Sequence, residues 1–422
     1  MISYKELVLQ ITDPKYYYYI FFLLFPFTFS FLYGGMIIKS SYLFALFCFI
    51  LFFVNRIFLK KRLFDHPLLV YFALWMIILI LSVLQSIYIP SDIFVLRFSI
   101  LNSPYLKSYI HVLQIVFYIF FSFSFATVFD TEKKIITAIQ FFISGAFIHA
   151  GISLSALFLY LFNFSLGSSL LFIDLSRTTR LQGFFQEPGY LAAFTLIIIP
   201  LCIFMYIKTK QKRYIGITLI QLLTLILTLS RAAFISFFIA LFFVMIYALK
   251  DKRKTIIYIA ITILIIFCVI LTSYLYVTNK DTAIFISTKN RLMIYTYALD
   301  AFSQHPLLGI GYNNFSFYTN IMYIPGLFWG AYLWFPEINN ILLQLFTETG
   351  LIGTFIFTIL IYKIVQSLQV LKEIDSFFNF KEIIYVTGIA LFIFALFFSL
   401  ISQLFIWVWI GLILSVVSLK HP

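Results

Sequence analysis

Apolar runs of bilayer-spanning length repeat along almost the whole chain, and this constrains its fold more than any other feature. A spanning helix needs roughly 20 mostly apolar residues. Such runs fall at 16–36, 41–58, 67–89, 107–129, 135–162, 189–207, 214–230, 232–249, 255–277, 339–362, 382–399 and 401–419. Gly, Pro and polar clusters separate most of them. The seventh and eighth are divided only by Ser230 and Arg231. One helix of their joint length would overrun the bilayer.

The chain is 63% hydrophobic and 11% charged. That is far more apolar surface than a soluble core of this size could hide. The net charge of +13 does not point to nucleic acid, because the charges stand in short clusters between apolar runs. Cys48, Cys202 and Cys268 lie inside apolar runs, as buried small hydrophobes do. Neither a disulfide framework nor metal-ligand spacing is present.

The expected fold is therefore an all-α polytopic membrane protein of about twelve helices, one transmembrane domain over 1–422. The amino terminus lacks a small-residue cleavage site, so the first run is expected to be retained. Basic residues set the orientation. With both termini in the cytoplasm, the inner loops hold 20 of the 29 Lys and Arg: Lys5, Lys15, the clusters at 56–62, 133–134, 208–213 and 250–254, Lys363, Lys372, Lys381 and Lys420. The outer side holds Lys39, Arg97, Lys107, Arg177, Arg180, Arg231, Lys280, Lys289 and Arg291. Residues 278–338 form a large outer loop, of the length that function usually explains. Within it, Leu292, Tyr295, Leu299 and Phe302 predict an amphipathic helix over 288–304, closed by His305-Pro306.

The outer arginines run against the charge bias. Arg177, Arg180, Arg231 and Arg291 each present the planar fork of donors that suits phosphate oxygens. An arginine of this kind can also simply snorkel to lipid headgroups. A shared task for several of them implies an anion at the outer surface, a phosphorylated lipid. In the stretch Arg180-Leu-Gln-Gly-Phe-Phe-Gln-Glu-Pro-Gly, Glu187 reads either as a cap of the following helix or as a carboxylate able to take a proton from an attacking hydroxyl. His305 reads as a second base or as a helix-end residue. Gly309 and Gly311, beside Tyr312, would let backbone amides approach a ligand. As a phosphate loop this segment lacks its lysine. Asn339-Asn340 precede the tenth run, and Glu348 lies inside it, where an acid commonly faces the bundle interior. A carrier for lipid-linked glycans would use such a residue, but would not need a large outer loop.

Together these segments resemble the O-antigen ligase/polymerase superfamily of bacterial envelope polysaccharide assembly. The matching pieces are Arg180–Ala192, Ser230-Arg231-Ala232, Arg291–Gly311 with its Pro-Leu-Leu-Gly-Ile-Gly core, and Asn340…Gln344…Glu348-Thr-Gly-Leu-Ile-Gly353. The resemblance implies a C-type, metal-independent and cofactor-free glycosyltransferase of the bacterial inner membrane, active on its outer face. It implies undecaprenyl-pyrophosphate-linked oligosaccharides as substrates, membrane lipids as surroundings and a chain-length regulator protein as partner, with no nucleic acid. In such an enzyme Arg180, Arg231 and Arg291 would hold the donor's pyrophosphate, with Arg177, Gly309, Gly311, Tyr312, Asn339, Asn340 and Glu348 around the substrate. The ligase branch carries a His-Asn pair where this chain has Asn339-Asn340. That departure, and the Glu-Pro after Gly-Phe-Phe-Gln, favour a repeat-unit polymerase over a ligase. His305 or Glu337 in place of the missing histidine would restore the ligase.

Overall fold

The computed structural model describes residues 13–27, 30–33, 36–85, 104–162, 173–174, 180–185, 187–248, 283–315, 337–369 and 378–419. Among them are twelve helices: α1 (Pro14–Leu24), α2 (Ser40–Phe58), α3 (Leu69–Gln85), α4 (Pro104–Val128), α5 (Glu132–Leu161), α6 (Pro188–Thr209), α7 (Arg213–Leu227), α8 (Arg231–Ala248), α9 (Ala283–Gln304), α10 (Ile341–Gln369), α11 (Phe378–Ala395) and α12 (Leu404–Ser418). Two small antiparallel pairs join them, β1 (Ser30–Tyr33) with β2 (Met36–Lys39), and β3 (Ile173–Asp174) with β4 (Arg180–Leu181).

These are not the twelve predicted spans. The run 255–277 lies outside the described residues. A helix does form within the long loop, α9, begun five residues earlier, but its buried face is Ile294, Ala298 and Ala301, while Leu292 and Leu299 of the expected apolar stripe are exposed. The first run, 16–36, is not one span. Its helix, Pro14–Leu24, has only three turns, about half of what a bilayer core requires. Pro26 follows almost directly, and the chain then pairs as a hairpin with Tyr33 opposite Met36.

Among the described residues, five helices are long and apolar enough to cross a membrane: Ser40–Phe58, Ser108–Val128, Glu132–Tyr160, Pro188–Thr209 and Ile341–Gln369. Leu69–Gln85, Arg213–Leu227, Arg231–Phe243 and Leu404–Ser418 are apolar but shorter. Their outer surfaces are apolar as well. On α2, Leu43, Leu46, Phe47, Ile50 and Ile57 are exposed, and on α3, Val70, Leu74, Ile77 and Leu84. Stripes of this spacing in water would drive aggregation; against lipid tails they are the expected face. The chain is membrane-embedded.

Helix α6 is the centre. It is apolar on all sides, and its residues from Pro188 through Ile199 are buried without a break. It packs on α7 and α11 and, more lightly, on α5 and α8. Around it α12 lies on α4, α8 on α11, α1 on α5, and α10 on α3. An aromatic lattice fills the α1–α4 side: Tyr18 stacks on Phe121 and meets Phe125 and Phe129 edge-on.

The two poles of the bundle differ in chemistry. At one, the end of α4, the start of α5 and the end of α6 meet through Lys208–Glu132 and Lys134–Asp130 (2.6 Å). At the other meet the starts of α2, α6, α8, α10 and α12 with the ends of α7 and α11. This second pole holds the arginines.

Candidate functional site

Three of the four outer arginines reach this pole from separate parts of the chain; Arg177 lies outside the described residues. Arg180, in β4, donates from Nε to the carbonyl of Thr228 (3.0 Å), just past the end of α7. Arg231 is the first residue of α8 and is exposed. Arg291, on α9, donates from Nη1 to the carbonyl of Phe397 (3.3 Å), beyond the end of α11. Arg291 and Arg180 are both electrostatic neighbours of Arg231. Like charges gathered this way repel one another, and a guanidinium on the first turn of a helix opposes the positive end of the helix dipole. An anion bound among them would lower that repulsion.

The turn carrying Arg231 is itself unusual. Residues 228–230 connect α7 to α8, and Leu229 takes φ +50°. A bulky side chain seldom adopts this left-handed conformation. The Thr228 hydroxyl accepts from the Ser230 amide (3.3 Å) and so braces the turn.

The turn before α6 is held from behind by His149 of α5. The Phe184 amide donates to His149 Nε2 (3.2 Å), so this imidazole is an acceptor there. Gly183 has φ +58°, and a Cβ on it would run into the His149 ring. Phe184 and Phe185 both pack on that ring. Arg180 and Glu187 flank this anchored turn. Glu187 occupies the N-cap position of α6, but its carboxylate makes no capping bond to the first-turn amides. Glu187 thus stands where the helix dipole favours an anion, without a capping hydrogen bond. Its charge bears also on Tyr190, as does that of Glu337, so two carboxylates from distant segments converge on one buried tyrosine.

Asn340 has a structural task. Its amide nitrogen donates to the carbonyl of Leu396 (3.0 Å), and its oxygen accepts from the Leu343 amide (3.0 Å), capping α10 and tying it to the end of α11. The neighbouring Asn339 accepts from the Tyr295 hydroxyl through its backbone carbonyl (3.2 Å).

The Pro-Leu-Leu-Gly-Ile-Gly segment differs most from expectation. Its amides are occupied inside the protein: Gly309 donates to the His305 carbonyl (3.0 Å), Ile310 to Thr347 (3.0 Å) and Gly311 to Glu348 (3.1 Å). Helix α10 breaks at Gly350, where φ is +66° and ψ −170°. The amides of Leu351 and Ile352 donate across the break to Pro306 (2.8 Å) and Leu307 (3.2 Å). The loop thus satisfies polar groups that a broken helix inside the bundle would otherwise orphan. Glycine is needed on both sides. A Cβ on Gly309 would sit 2.5 Å from the Glu348 carbonyl carbon, and one on Gly350 would collide with the Leu307 carbonyl.

Glu348 is buried just before this break and accepts from Gln344 Nε2 (3.0 Å), whose own oxygen accepts from Ser399 (2.7 Å). Tyr312 is buried nearby, and its amide donates to Ser82 of α3 (3.3 Å). His305 follows the end of α9, beside the same break. Helix separates it from Arg291 by about 21 Å along the axis. Glu348, Tyr312 and His305 thus belong to the loop–helix junction, and His305 stands apart from the arginines.

Residues 216–358, about a third of the chain, match the family described as O-Antigen ligase. No curated protein matches the chain. The matched stretch holds Arg231, Arg291, the glycine junction and the start of α10, while Arg180 and Glu187 lie before it. It does not separate ligases from polymerases. Over residues 216–358 the chain is similar to the O-antigen ligase family, which supports the resemblance to the O-antigen ligase/polymerase superfamily.

Proposed function

We propose that the protein is a polymerase of lipid-pyrophosphate-linked oligosaccharide repeat units, acting at the outer face of the bacterial inner membrane with both termini in the cytoplasm. The observation that carries this reading is the gathering of Arg180, Arg231 and Arg291 at one pole. The bond from the donor sugar's anomeric carbon to the pyrophosphate oxygen breaks, and a bond to a hydroxyl of the acceptor glycan forms. Negative charge grows on the departing undecaprenyl pyrophosphate, and the three guanidiniums stabilise it. Glu187, across the His149-anchored turn from Arg180, takes the hydroxyl proton. Guanidinium charge fills the role that a metal ion has in other glycosyl transfers. A chain-length regulator is the expected partner.

Polymerase is favoured over ligase by Asn339 and Asn340. Neither amide side chain accepts a proton near neutral pH, and that of Asn340 is engaged in capping. The ligase reading, transfer of the finished glycan to lipid A-core or another acceptor, draws on the description of the matched family. Glycan analysis of cells lacking the gene separates the two. A polymerase defect leaves single repeats on the final acceptor. A ligase defect leaves polymer on the lipid carrier and none on the acceptor.

A further inference from the structure

Residues 396–399, which follow α11, are held one after another by α10, α9 and α6. The Leu396 carbonyl accepts from the Asn340 side chain at the start of α10 (3.0 Å), and the Phe397 carbonyl accepts from Arg291 of α9 (3.3 Å). The Phe398 ring packs edge-on against Tyr190 (5.5 Å) and over Gly189, where a Cβ would sit 2.5 Å from Phe398 Cζ. The Ser399 hydroxyl donates to Gln344 Oε1 of α10 (2.7 Å). This short strap therefore touches both Arg291 and the first turn of α6, which begins directly after Glu187.

The last of these bonds leads on to Glu348. Gln344 Nε2 donates to Glu348 Oε2 (3.0 Å), so the Gln344 side chain turns its nitrogen to Glu348 and its oxygen to Ser399. Glu348, Gln344 and Ser399 are 2%, 7% and 3% exposed. Hydrogen bonds shielded from water in this way are strong, and each one lost leaves a buried polar group unsatisfied. A hydroxyl can donate or accept, and an amide can face either way. The acceptor supplied by Glu348 gives the chain of bonds one direction. Through its main chain Glu348 also accepts from the Gly311 amide (3.1 Å), so the glycine junction seats it. An acid buried in a membrane helix is expensive to keep, which calls for a task. We propose that Glu348 is a positioning residue of the transfer site: acting through Gln344 and Ser399, it holds the strap where the Phe397 carbonyl fixes Arg291. That the arginine so held serves glycan transfer rests on the polymerase reading above.

The test uses the full chain purified in detergent and has two arms. The first is hydrogen exchange of backbone amides, read by mass spectrometry, which does not depend on the reaction. Glu348→Leu should speed exchange by about tenfold or more in 396–399 and in the part of α9 around Arg291. Glu348→Gln, which keeps an acceptor for Gln344, should stay near wild type. Ser399→Ala breaks the chain of bonds at its other end and should reproduce the Glu348→Leu pattern; it serves alone should Glu348→Leu fail to fold. Exchange unchanged in both segments, or as fast in Glu348→Gln as in Glu348→Leu, would overturn the proposal. The second arm is elongation of lipid-pyrophosphate-linked repeats. Glu348→Leu should slow it by about tenfold, and adding it to Arg291→Ala should cost nothing further, because the first acts through the second. Losses that multiply would overturn positioning through Arg291. Full elongation by Arg291→Ala would count against the transfer reading alone, and the exchange arm would then decide the positioning.

Discussion

Arg291 and Phe397 are joined by a 3.3 Å hydrogen bond from guanidinium to backbone carbonyl, across 106 residues of sequence. This bond fixes α9, the one described helix of the long loop, to the end of α11, and with it the position of one of three clustered cations. The planar fork of arginine can hold that carbonyl and still face an anion; the compact ammonium of lysine cannot do both. Arg291→Lys is expected to fold, yet to lose most of the glycan-elongating activity, scored as the length distribution of polymer in complemented cells. Wild-type chain lengths would show that charge alone suffices there.

The junction between Gly309 and Gly350 predicts a folding defect and not a binding defect. Both glycines have positive φ and meet backbone where a Cβ would stand. A non-glycine residue in such a conformation costs about 1–3 kcal/mol before any clash is counted. Gly350→Ala and Gly309→Ala should each lower the unfolding temperature of the purified protein by several degrees and reduce its membrane abundance. Gly216, whose Cβ would meet nothing within 4 Å, is the matched control.

His149 should act through the turn it supports. Removing the acceptor of the partly buried Phe184 amide costs up to about 1–3 kcal/mol, the penalty for a fully buried donor left unsatisfied. His149→Ala should therefore lose stability and also lower elongation, by displacing Arg180 and Glu187. Partial rescue by His149→Gln, whose amide oxygen can accept the same bond, is the readout that a general packing defect would not give.

Lys208 and Glu132 pair at the opposite pole, with side chains 23% and 41% exposed. A solvent-screened pair of this kind contributes about 0–1 kcal/mol. Lys208→Ala should change the unfolding temperature little and leave polymer length as it is.

Local signals in the sequence carried much of this. The apolar runs that became α2 to α8 and α10 to α12 were legible because each helix declares itself within its own short stretch of chain. The outer arginines were legible because they break a charge rule applied loop by loop. Contacts between distant segments were not legible. Nothing near Gly309 signals that its partner is the break at Gly350, so the loop read as a ligand loop. The capping of α10 by Asn340 onto Leu396, His149 behind Phe184, and Lys39 on the distant Gln403 are pairings that no local pattern marks. The first run misled because its composition is almost continuously apolar, while the chain forms a short helix up to Leu24 and then a strand pair.

The arginine cluster is tested most directly by reconstituting elongation with purified protein and lipid-pyrophosphate-linked repeat units. Wild type should convert single repeats to a ladder of longer lipid-linked products. Arg231→Ala, with its fold checked by its unfolding temperature, should slow this by about 10²–10³-fold, the usual cost of losing one preorganised charge-stabilising donor. Glu187→Gln should fall similarly, through loss of the base. An unchanged ladder from correctly folded Arg231→Ala would contradict a pyrophosphate-binding role for the cluster.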